Sequence, residues 1–268
     1  PPPETPSPIP PQPHHHAAPV PRAAPTPDMN PDPRQRFQPE DVMRALAIAL
    51  MVVYHFSYDL NYFGIASFDF HEDRFWLNAR TFILSQFLLL VGVSLILATR
   101  NRINWRAFRK RLLVLIFCSA LISVSTWFVF DERMIFFGVL HFIAVASVFG
   151  LLFIRLFWLN ALLGMAAIIT GVYFSNPFFD QPVLQWVGLM TFKPTTEDYV
   201  PLLPWFGAVL FGMFLGKLLL ASQSLSSILA WQARNPLPRL LALSGRHSLL
   251  IYMVHQPLLL GALWLGTR

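Results

Sequence analysis

Charge is what this sequence has least of. Only 13% of its 268 residues are Asp, Glu, Lys or Arg, against roughly 25% in a soluble domain. Most of the chain therefore has little need of water, and no nucleic-acid partner is expected despite the net charge of +6. Cysteine is nearly absent. Cys118 stands alone inside an apolar run, which excludes a disulfide framework. A Walker loop, a dinucleotide fingerprint, a paired CxxC and an HExxH motif are all missing, so the chemistries those motifs carry are not expected. No internal repeat is evident, which weighs against an inverted-repeat transporter. No charged segment with a small-residue cleavage site precedes the first apolar run, so a cleaved secretory signal is not expected.

What the chain has instead is apolar length: 55% of its residues are hydrophobic and its mean hydropathy is +0.51. A membrane helix needs about 20 apolar residues. The apolar runs predict an all-α, polytopic membrane bundle of seven spans, at 42–63, 77–99, 112–130, 135–154, 156–174, 204–221 and 246–266. Residues 39–268 form this membrane domain. Residues 1–38 are crowded with proline and include His14, His15 and His16. Such a segment cannot bury enough apolar area to offset chain entropy and reads as a disordered tail.

The charges that remain are sorted by position. The segment 100–111 holds Arg100, Arg102, Arg106, Arg109, Lys110 and Arg111 without an acid, and 217–246 holds Lys217, Arg234, Arg239 and Arg246 without one. Asp69, Glu72, Asp73, Asp131, Glu132, Asp180, Glu197 and Asp198 occupy the alternate breaks. The positive-inside rule then places the N-terminus in the cytoplasm, the loops near 64–76, 131–134 and 175–203 outside, and the C-terminus outside. The stretch 223–240 is amphipathic, with Ile228, Leu229, Trp231, Leu237 and Leu240, and is expected along the cytoplasmic interface. Gly212 and Gly216 read as a helix-packing pair.

Ionisable residues inside spans are costly, so each is a functional candidate. Arg44 and His55 are eleven residues apart in the first span. That is three turns plus about 20°, so they share a face with ~16 Å between them. Asp59 follows one turn later on nearly the same face. His71 precedes the second span, His141 lies in the fourth and His255 in the seventh. Histidine suits proton relay, general-base work or nucleophilic transfer. No His pair or His–carboxylate pair repeats at ligand spacing, so no metal is expected.

These residues fall into recognisable blocks: Asp41-Val42-Met43-Arg44-Ala45-Leu46-Ala47, Met51-Val52-Val53-Tyr54-His55-Phe56 and Tyr58-Asp59-Leu60. Then come Phe87-Leu88-Leu89-Leu90-Val91-Gly92-Val93-Ser94, Phe137-Gly138-Val139-Leu140-His141-Phe142 and Pro201-Leu202-Leu203-Pro204-Trp205-Phe206-Gly207. Gly245-Arg246-His247-Ser248-Leu249-Leu250-Ile251-Tyr252 with His255 closes the series. In order and number they resemble the family containing the catalytic region of heparan-α-glucosaminide N-acetyltransferase, over essentially all the chain after residue 40. The Arg44-to-His55 spacing is also similar to an arginine–ten residues–histidine element of a wider group of membrane acyltransferases.

The resemblance implies a membrane-embedded acyltransferase in the inner (cytoplasmic) membrane, moving an acetyl group from cytosolic acetyl-CoA to an amino sugar or glycan on the periplasmic side. By position His71 matches the family's catalytic histidine, whereas His55 falls where the lysosomal enzyme has asparagine. Either could do the chemistry. Arg44, with Arg246 and the basic segment, would hold the donor's phosphates. Asp59 would orient His55, and His141 and His255 would bind substrate. The expected partners are the lipid bilayer, an acyl-CoA and a saccharide acceptor, with a homodimer also allowed. The competing reading is a proton-coupled transporter or flippase using the histidines and Asp59. A third is a scaffold whose proline-rich tail docks a partner.

Overall fold

The computed structural model describes residues 37–267. His14, His15, His16 and nearly all of the expected tail over 1–38 lie outside the described residues. Among the described residues there are nine α-helices and no strand. They are α1 (Gln38–Tyr62), α2 (Arg74–Thr99), α3 (Trp105–Phe130), α4 (Val139–Phe153), α5 (Trp158–Tyr173), α6 (Leu202–Ala221), α7 (Gln223–Ala230), α8 (Pro236–Arg246) and α9 (Ser248–Gly266).

Local chemistry sets several helix starts. α1 opens with Pro39 in its first turn, followed by Glu40 and Asp41, a preset φ and two acids that complement the helix dipole. Asp73 caps α2 by accepting from Phe75 N at 2.8 Å. Asn104 caps α3 by accepting from Ala107 N at 3.1 Å. This cap moves the start of the third helix to Trp105, seven residues before the expected span at 112. Arg106, Arg109, Lys110 and Arg111 are therefore helical, with stems that can run along apolar surface while their heads reach water.

Seven helices occupy the seven expected spans, and five of them (α1, α2, α3, α6 and α9) are long and apolar enough to cross a membrane. α4 and α5 are apolar but have 15 and 16 residues, about 22–24 Å at 1.5 Å per residue, short of a ~30 Å hydrocarbon layer.

α2 and α6 run side by side in the same direction. Gly92 lies against the backbone of Val209 and Met213, and Gly212 against that of Leu89. A Cβ at Gly92 would stand 2.1 Å from Val209 O, and one at Gly212 the same distance from Leu89 O. Absent side chains thus let the two backbones meet, the packing role expected of small residues in membrane helices. Around this pair lies the apolar core of Leu88, Val91, Leu95, Phe142, Val209, Leu210 and Met213. α5 packs antiparallel on α6, with Gly164 against Gly207 O.

α1 and α9 run in parallel. Asp41 meets Arg246 at the base of α9, and further along the pair His55 meets His255. The bundle end bearing the starts of α1, α3 and α9 is the basic face. The end bearing the loops 63–73, 131–138 and 174–201 is the acidic face.

Candidate active site

The first and last spans build the central polar site. His55 Nδ1 lies 2.9 Å from Met51 O, and His255 Nδ1 lies 2.6 Å from Tyr252 O. A carbonyl accepts only, so each ring carries a proton on Nδ1, and in the neutral imidazole Nε2 is then the lone pair. The rings meet edge to face, with centroids 5.0 Å apart. His255 is buried and its Nε2 has no hydrogen-bond partner among the described residues. One turn along α1, Asp59 is 1% exposed and accepts from Gln256 Nε2 at 2.8 Å. Its second oxygen and Gln256 Oε1 are buried without partners. Three acceptors without donors in a buried cluster carry a desolvation cost. Each of the three can accept from an N–H or O–H donor.

Asp59 is expected to orient His55, but the structure gives both groups other partners. An i−4 carbonyl already takes the His55 Nδ1 proton, and the amide of Gln256 reaches Asp59 from α9. Asp59 and Gln256 therefore lock α1 to α9 beside the imidazole pair.

Towards the acidic face a cavity of about 610 Å³ opens, lined by Tyr58, Asn61, Tyr62, Phe68, Asp69, Phe70 and His71 among others. His71 sits exposed in a turn where its backbone N donates to Asp69 Oδ1 at 2.9 Å. Two backbone N–H groups on that carboxylate, from Glu72 and His71, hold Asp69 below the usual carboxylate range. Tyr58 is on the cavity wall and adjoins Asp59 in sequence, so the cavity ends within a turn of the imidazole pair. Behind it, Tyr54, Phe70 and Trp76 pack ring on ring.

At the basic face Arg44 and Arg246 converge on carboxylates. Arg44 pairs with Glu40, reaches Asp41 at 3.5 Å and donates to Ser94 Oγ at 2.6 Å. Ser94 also meets Glu40. Arg246 Nε lies 3.3 Å from Asp41 Oδ2. Arg111 adds a third guanidinium within electrostatic reach of Arg44 and Glu40, and it is exposed. Three cations against two carboxylates leave a positive surplus, which fits an anionic group such as a phosphate.

His141 is held by partners other than those of the imidazole pair. Its Nδ1 accepts from Gly138 N at 3.3 Å and its Nε2 lies 3.1 Å from Ser123 Oγ, which donates to Ile135 O at 2.6 Å. Both nitrogens are engaged in fastening the start of α4 to α3. Asp198 completes that corner by accepting from Val139 N at 2.8 Å. Burial pushes the Asp198 carboxyl above the usual carboxylate range, against the Val139 N–H and Arg80, which draw it down. An acid raised in the folded state costs stability once ionised. That cost is relieved as pH falls through the folded pKa towards the unfolded value near 3.8. Asp198→Asn keeps an acceptor for Val139 N, so its melting temperature is expected to match or exceed wild type at pH 7. The gap should narrow as the pH is lowered. A lower melting temperature at pH 7 would contradict this account.

Gln256, Glu40 and Ser94 are the members of these clusters that the sequence does not announce. Gln256 and Ser94 are uncharged, and Glu40 looks like an ordinary first-turn acid. Only the block containing Val93-Ser94 and the His255-Gln256-Pro257 run hint at the first two. Among the described residues no group of three His, Cys, Asp or Glu side chains converges to hold a metal.

Residues 36–257 match the family model described as heparan-alpha-glucosaminide N-acetyltransferase, catalytic. The chain belongs to this family. The match runs from the start of α1 to the His255–Gln256 turn of α9, so it takes in both imidazoles of the pair. No curated protein and no solved structure matches the chain. Family membership and the spans together make it a membrane acetyltransferase-like protein.

Proposed function

We propose that the chain carries an acetyl group from acetyl-CoA at its basic face to an amino sugar or glycan entering from its acidic face. The basic face is taken as cytoplasmic and the host as the inner membrane. The observation that carries this reading is the contact of two imidazoles in mid-bundle, between a cationic face and an open cavity. Arg44 and Arg246 are already held by Glu40 and Asp41, so the basic segment, Arg111 first, supplies the charge for the donor phosphates. A pantetheine arm has a length comparable with the ~16 Å from Arg44 to His55.

In the transfer, the acceptor amine gives its proton to an Nε2 lone pair as its nitrogen attacks the thioester carbonyl. The C–N bond forms, the C–S bond breaks, and the leaving thiolate recovers the proton. His55 lies at the thioester's reach, while His71 lines the cavity that admits the acceptor.

The test is acetylation from labelled acetyl-CoA by the purified full chain, with membrane saccharides as acceptors. His55→Ala is expected to lower turnover by about 10²–10⁴-fold. His71→Ala is expected to act mainly through KM for the acceptor. Full activity in both variants would sink a histidine mechanism. Movement of substrate coupled to pH, without acetyl-CoA consumption, would favour a transporter instead.

A further inference from the structure

Apart from Arg246, the acid-free segment 217–246 is not used by the transfer just described. It forms α7, a short linker and α8 on the basic face. Two features tie this strap to α1. Gln38 Oε1 accepts from Ala233 N at 2.7 Å while its amide donates to Gln232 Oε1 at 3.2 Å. Gly245 presses against the Asp41 backbone. One face of α8, Ala242 and Gly245, is thereby buried on α1.

Among the described residues none covers the opposite face. Leu237, Leu240 and Leu243 are 67%, 61% and 50% exposed, with Ile228 and Trp231 exposed on α7 and the linker. Arg234 and Arg239 stand among them, also exposed. A pocket of about 540 Å³ opens at this corner, lined by Ala230, Trp231, Gln232, Arg234, Asn235 and Pro238. Leucines that would be costly in water and guanidinium groups that would be costly in hydrocarbon share one surface. Only the headgroup layer of a bilayer satisfies both.

We propose that this strap is an anionic-phospholipid site, with the headgroup phosphate between Arg234 and Arg239 and the acyl chains along Leu237, Leu240 and Leu243. Charge decides the class of lipid. A zwitterionic headgroup brings its own cation to a surface that offers no acid between residues 217 and 246. An anionic one meets guanidinium groups alone, each contributing about fivefold to its retention.

The experiment is native mass spectrometry of the full chain released from mixed micelles of phosphatidylglycerol and phosphatidylcholine with matched acyl chains. Wild type is expected to retain phosphatidylglycerol preferentially, and Arg234→Gln/Arg239→Gln to lose about 25-fold of that preference, fivefold for each cation. Arg74→Gln, on the acidic face, is expected to leave it unchanged. Equal retention of the two lipids by wild type overturns the proposal, as does an unaltered preference in the double variant. An equal loss in Arg74→Gln also overturns it, because general surface charge then suffices. Displacement of the lipid by millimolar inorganic phosphate would make this a site for free anions and would overturn the lipid assignment.

Discussion

Replacing His255 by leucine should lower acetyl-CoA-dependent acetylation by about 10²–10⁴-fold, the range of a lost acid–base group, while leaving the melting temperature equal or higher. Two observations set these opposite directions. The ring is fixed by its bond to Tyr252 O, which aims an unprotonated Nε2 at an interior with no donor to meet it. A buried acceptor left unpaired costs about 1–3 kcal/mol, and leucine fills similar space without that cost. A merely structural histidine would behave in the reverse way, with stability falling and turnover following the folded fraction. Paired measurements of turnover and thermal unfolding separate the two. Turnover within about threefold of wild type would show that His255 is not an acid–base group of the reaction.

The largest effect on stability is expected at Gly245. A Cβ there would lie 1.7 Å from the main-chain oxygen of Asp41, and backbone cannot step aside as a flexible side chain can. Gly245→Leu must lift α8 from α1, parting Arg246 from Asp41 and Gln38 from the linker. The cost is expected at about 3 kcal/mol, the upper end for overpacking, or a fall of roughly 6–12 °C in melting temperature for a chain of this size. Gly261→Ala is the matched control, since nothing stands within 4 Å of its would-be Cβ. Its melting temperature should hold or rise, as alanine is the better helix former. A Gly245→Leu protein that melts with the wild type would mean that α8 is not clamped to α1 in this way.

The sequence makes much of this architecture legible, for physical reasons. Spans are legible because a bilayer demands apolar length, and that demand acts on consecutive residues. The face shared by Arg44, His55 and Asp59 is legible because it follows from the helix pitch alone. What the sequence hides is pairing between helices. Asp41 finds Arg246, and Asp59 finds Gln256, across some two hundred residues of chain. Nothing in local pattern says that the first and last spans are neighbours. Arg44 illustrates the consequence. As a lone cation near a membrane surface it suggests a phosphate ligand, yet Glu40 one turn earlier and Ser94 on α2 already occupy it. The short α4 and α5 were equally hidden, because composition reports apolar character better than it reports where a helix stops.

The meeting of His55 with His255 has a consequence for the order in which this protein comes into being. Of the nine helices described, the earliest and the latest in chain order contribute its two imidazoles. Until α9 is made, the ring on α1 lacks the His255 ring and Asp59 lacks the Gln256 amide. The pair forms only once α9 packs beside α1, so a chain cut short before α9 should lack the acetylation proposed above.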